Sequence, residues 1–160
     1  MMSEPNRPRI RRRPAPELGE HLHGPCILAA SSRAAIALKA IYGYSWGLEV
    51  DIRAVRSSFK KISPTDDPIE NLQLGLAASK QELTLDGLPP QPQNANLTWA
   101  VRSGSGTGEP GFEWTSEIGL VVLPYPTTGL WLGWSWPQLE LSEDSATFQL
   151  PKAIALQPLV

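Results

Sequence analysis

A chain of 160 residues, 41% hydrophobic and 19% charged, is long enough to bury a core of its own, and a lone cysteine excludes an internal disulfide. Sixteen prolines and thirteen glycines punctuate it too densely for long helices and favour short strands joined by turns. The net charge of −2 conceals a split: residues 1–13 hold five arginines against Glu4, a local charge of +4, whereas the other 147 residues carry nine basic and fifteen acidic side chains, a charge of −6.

Residues 1–25, MMSEPNRPRIRRRPAPELGEHLHGP, combine five prolines and a basic run with little hydrophobicity and no period of 2 or 3.6. Such a segment buries too little surface to offset its ordering entropy, so it is expected to be an extended arm leading into a body at 26–160. Within it, period 2 would set His21 and His23 on one side of an extended segment, as two metal ligands would be. Two ligands in a solvated arm do not make a metal site, and none is expected. Cys26 opens the body and is expected to be a small buried apolar residue.

From Cys26 the chain turns to short apolar runs. CILAAS is followed by AAIALKAIYGYSWGLEVDIRAV, in which Ile36, Leu38 and Ala40 alternate, and beyond the GYS interruption Trp46, Leu48, Val50, Ile52 and Ala54 alternate again. This period of 2, with Glu49, Asp51 and Arg53 between the apolar positions, predicts two adjacent strands, the second with a solvated face. AIALKA contains good helix formers, but Ile, Tyr and Trp follow it without a C-cap, so a strand is expected. Residues 56–71 are polar and proline-punctuated and predict a long loop, with Asp66 and Asp67 before Pro68 suited to a turn. LQLGL, AASKQ and ELTLDG then predict a hairpin, with Leu72, Leu74 and Leu76 on one strand and Leu83 and Leu85 on the other.

LPPQPQNAN is another proline loop, and LTWAVR predicts a strand with Leu97, Trp99 and Val101 on one face. SGSGTGEPG, residues 103–111, has four glycines and no apolar side chain, and predicts a flexible loop. It lacks the closing Lys, Ser or Thr and the following helix of a phosphate cradle. FEWTSEIGLVVLP is strand-like, and LPYPTTG is a turn. In LWLGWSWP, Leu130, Leu132, Trp134 and Trp136 share a face and are the predicted core, whereas Trp131, Gly133 and Ser135 lie opposite and Pro137 ends the ladder. The tail offers a strand around Leu139 and Leu141, a turn at SEDS and a last apolar segment around AIAL. Eight or nine short strands with frequent turns predict a mainly β fold, an antiparallel β-sandwich, immunoglobulin-like or related, behind an extended N-terminal arm.

Three stretches, IRRRPAPELGE, RAAIALKAIYGYSWGLEVDI and LPYPTTGLWLGWSWPQLEL, together cover much of the chain. In them the sequence resembles a group of small uncharacterised actinobacterial hypothetical proteins with a basic Pro-rich N-terminus and a β-rich body ending in a Trp-Pro strand. The resemblance implies the β-rich fold and supplies no active site. The last segment of that group tends to be an Ala-rich helix, whereas here Pro151 precedes a shorter AIAL stretch.

Chemistry finds little to work with. Both histidines lie in the arm, so no Ser-His-Asp or Cys-His grouping forms, and Glu49 and Asp51 are expected on a solvated strand face. The expectation is therefore a non-enzymatic interaction or structural module without cofactor. It would bind a protein partner or a second copy, with Arg7, Arg9, Arg11, Arg12 and Arg13 as an auxiliary contact. The alternative is a carbohydrate-binding module that stacks sugars on Trp131, Trp114 and Tyr125. The negative body disfavours nucleic acid, which only the arm could meet. No window approaches 18 apolar residues and the basic start lacks the apolar stretch of a secretory signal, so no membrane contact and a cytoplasmic location are expected.

Overall fold

The computed structural model describes residues 18–57, 69–87, 98–109, 113–127 and 129–152, with the backbone alone at 86–87, 98–109 and 113–114. These residues form ten strands: β1 (Glu20–His23), β2 (Cys26–Ala30), β3 (Ala34–Tyr44), β4 (Gly47–Ser57), β5 (Gln73–Ala77), β6 (Asp86–Gly87), β7 (Thr98–Glu109), β8 (Glu113–Leu123), β9 (Leu130–Trp136) and β10 (Leu141–Phe148). Every pairing is antiparallel. One sheet runs β1-β3-β4-β8-β7, with β2 on the same side of β3 as β1, and the other runs β10-β9-β5-β6.

The alternation in the sequence decides which faces meet. Ile36, Leu38, Leu48, Val50, Ile52, Ala54, Ile118, Leu120 and Val122 from the first sheet form one buried cluster with Leu74, Leu76, Leu130, Leu132, Trp134 and Trp136 from the second. This is a two-layer β-sandwich. Each of its fully buried Leu or Ile side chains contributes about 1.5–3 kcal/mol of transfer free energy. Trp136 is 1% exposed, and its indole N–H donates to the Glu70 carbonyl at 2.9 Å, so the largest core side chain leaves no polar atom unmet.

Two polar clips tie the layers at one end. The Ser31 hydroxyl accepts from the Arg33 and Ala34 amides at 3.1 Å each and donates to the Leu139 carbonyl at 2.7 Å. The Arg33 guanidinium donates to the Gln138 carbonyl at 3.2 Å. Toward the other end His23 Nε2 bonds to the Gln149 carbonyl, the His23 ring meets Phe148 edge-on at 5.1 Å, and the Tyr125 hydroxyl donates to the Pro151 carbonyl.

Several expectations are corrected. Residues ahead of Cys26 already belong to the sandwich, because EHLH pairs with Ile41–Gly43 of β3. Trp46 belongs to the two-residue turn between Tyr44 and Gly47 and stacks on Tyr44 at 4.7 Å, so it stands outside the alternation of β4. The ELTLDG strand shrinks to the two residues of β6, since Lys80–Glu82 forms a 3-10 turn and Leu83 and Leu85 instead pack over Gly133. SEDS is no turn: β10 runs through it with a bulge between Leu141 and Asp144, and a 3-10 turn at Pro137–Leu139 with left-handed Glu140 makes the reversal. The predicted loop at 103–111 is strand as far as Glu109, paired residue by residue with β8. The final AIAL segment and most of the predicted loop at 56–71 lie outside the described residues.

Candidate functional site

For a sandwich with a filled core, the places left for function are the outer faces and the edges. On the outer face of the first sheet, Lys39 and Arg53 both reach Glu117, at 2.8 and 2.7 Å. Burial raises the Glu117 pKa, but the bonds and charges of Lys39 and Arg53 outweigh it and hold the carboxyl below its ordinary value. Glu49, expected on a solvated face, is 6% exposed and accepts from the Tyr44 hydroxyl at 3.0 Å. The Tyr44 side chain, on which the Trp46 ring stacks, thus reaches a strand position that the sequence reads as polar and that is buried in the structure.

The two histidines do not converge. A bulge between His21 and His23 breaks the period, so His21 meets the Tyr42 ring edge-on at 5.7 Å whereas His23 meets Phe148 of the other sheet. Among the described residues no group of three or more His, Cys, Asp or Glu side chains is placed to hold a metal ion. Cys26 is exposed, against the expectation of burial, because β2 is an outer strand and Ile27 beside it is 67% exposed.

The three aromatic candidates fall in separate places. Trp131 lies on the outer face of β9 between Ala77 and Thr147, partly exposed, with the Lys80 ammonium 6.0 Å from its ring centroid. Beside it a groove of about 540 Å3 is lined by Gln73, Lys80, Leu83, Leu85, Glu143 and Asp144, among others. Tyr125 follows β8, packs against the core and is engaged with Pro151; burial, then the Glu20 charge, raises its pKa. Trp114 stands in β8 of the other sheet, opposite Arg56 and Gly108. Arg7, Arg9, Arg11, Arg12 and Arg13 lie outside the described residues.

The edges differ in how they are guarded. β10 carries exposed Glu143 and Asp144, the charges with which edge strands discourage pairing, and β6 is two residues long. β7 is the longest strand, twelve residues, and among the described residues it pairs on one side only. Its stretch Ser103–Gly108 has no charge and no proline. This edge was missed because its composition signals a loop. The signal that could have found it is the strict alternation of Ser103, Ser105 and Thr107 with Gly104, Gly106 and Gly108, a period of 2 carried by small residues rather than by apolar ones.

No protein-family model matches the chain, and no curated protein does. Among solved structures, the fold is weakly similar to the GAE domain of GGA2p from Saccharomyces cerevisiae. The TM-score is 0.38 at 15% identity, over 81% of this chain and 100% of that one. Among the described residues no helix is long and apolar enough to cross a membrane.

Proposed function

We propose that the protein is a non-enzymatic β-sandwich interaction module of the cytoplasm that holds a protein partner along the outer edge of β7. In this reading Arg7, Arg9, Arg11, Arg12 and Arg13 make a second, electrostatic contact. The observation that carries the proposal is the long, uncharged edge at Ser103–Gly108 in a sandwich whose β10 edge is guarded by charge. A partner strand added there gains main-chain hydrogen bonds along its length, the mode by which sheet edges bind extended segments.

The arm supports this as an aid to encounter. Its local charge of +4 is held on a proline-rich stretch, and contacts of that kind form fast and are screened at a Debye length of about 8 Å. The test is affinity for a partner captured from the native host, measured for the full-length protein and for a variant lacking residues 1–13 at low and moderate salt. Full-length affinity should fall steeply with salt and truncated affinity should not. Equal affinities would remove the arm from the mechanism. A glycan array with a reproducible hit lost in Trp131→Ala would replace the protein partner by a sugar.

A further inference from the structure

Building on the edge-binding reading, we propose that the occupant of β7 is a second copy of this chain, paired antiparallel through β7 about a two-fold axis at Gly106. Such an axis, normal to the sheet, preserves the two faces, so each residue meets one of like parity and the six-stranded sheet continues into its copy.

The sequence of β7 is self-complementary in that register. Gly106 falls opposite its own copy, Gly104 opposite Gly108, and Ser105 opposite Thr107. Glycine thus meets glycine on one face and hydroxyl residue meets hydroxyl residue on the other, a favourable cross-strand pairing. Glu109 comes opposite Ser103, one residue from Arg102, which stands at the irregularity between Val101 and Ser103. The two-fold axis repeats this register, so positions of opposite charge fall near each other at both ends of an uncharged stretch.

The pairing within the sheet points the same way. Gly104, Gly106 and Gly108 stand opposite Ile118, Ser116 and Trp114 of β8, of which Ile118 and Ser116 are buried. The residues of β7 in register with these positions are all glycine, the residue suited to close backbone approach.

Charge reversal tests the register by sedimentation of the full-length protein. Wild type should be a dimer that dissociates on dilution. Arg102→Glu and Glu109→Arg should each sediment as monomers, with the dimer weakened at least tenfold and with unchanged circular dichroism. An equimolar mixture of the two should regain the dimer, because one copy then carries two acids at these positions and the other two bases. As a readout independent of charge, Gly106→Cys in a Cys26→Ser background should form disulfide-linked dimers on mild oxidation, whereas Ser145→Cys in the same background should not. A monomeric wild type, variants that stay dimeric, or a mixture that fails to pair would overturn the proposal. A monomeric wild type that still loses a foreign partner on proline substitution in β7 would overturn self-pairing and leave the edge-binding reading intact.

Discussion

Trp134 and Trp136 are 3% and 1% exposed, whereas Trp131, one register step away, is only partly covered. Period 2 in LWLGWSW was enough to place Trp134 and Trp136 in the core and Trp131 on the opposite face, whereas how far Trp131 is covered required the structure. Trp134→Ala is expected to cost about 3–5 kcal/mol, as truncations of buried aromatic rings do, and Trp131→Ala less than about 1 kcal/mol, both measured by denaturant unfolding. Glu49 was not legible in this way: it is buried where the Tyr44 hydroxyl bonds its carboxylate, a contact that the alternation of β4 does not encode. Tyr44→Phe removes a donor to that carboxylate and is expected to cost about 1.5–3 kcal/mol. Glu117 makes a smaller, pH-dependent contribution. Its carboxyl is lowered in the folded state from an ordinary value of 4.5, so its stabilisation is complete above that value and is lost as pH falls through the folded value. With side chains a third to a half exposed, the Lys39–Glu117–Arg53 group is worth less than about 1 kcal/mol. Glu117→Gln should therefore lower stability by up to that amount at neutral and basic pH and converge with wild type in acid, where the carboxyl is protonated in both states.

Strands with apolar alternation were legible as elements, and those whose pattern is carried by small or polar residues were not. β3, β4, β8 and β9 carry runs in which alternate positions are buried Ile, Leu, Val or Trp, whereas β7 spells its period in serine and glycine and β1 in histidine and leucine. Bulges are invisible to a simple period, and those at His21–His23 and Leu38–Ala40 move residues across the sheet without a compositional mark. Glycine at two paired positions has a specific cause. Gly75 and Gly133 face each other on β5 and β9, and the 83–85 segment crosses directly above them. A Cβ at 75 would stand 2.1 Å from the Thr84 carbonyl oxygen, whereas one at 133 would meet the far ends of Leu85 and Leu83 at 2.8 and 2.9 Å. Gly75→Ala should therefore lower the melting temperature clearly more than Gly133→Ala, since a backbone carbonyl cannot rotate aside and leucine methyls can. Equal losses would mean that the 83–85 segment lifts as a unit.

For the whole molecule, the sandwich follows from the alternating faces of two sheets that share one core, and its function is argued from what that core leaves unused. The charge and proline content of residues 1–13 are read from the sequence alone, whereas the edge proposed for binding required knowing that 103–109 is paired. Deleting residues 1–13 should leave the melting temperature of the body unchanged, because their basic, proline-rich sequence offers little apolar surface to bury. The function proposed above places binding on the outer edge of β7. Proline removes an amide donor and is tolerated in a sheet only where that amide faces away from its neighbour. Of Gly104→Pro and Ser105→Pro, adjacent in the ladder with β8, one removes such an outward amide and should keep the wild-type melting temperature. The most direct measurement compares proteins enriched from native-host extract by wild type and by that variant, quantified by mass spectrometry. Wild type should enrich at least one protein, a copy of this chain included, that the variant loses. Identical enrichment by the two would contradict it.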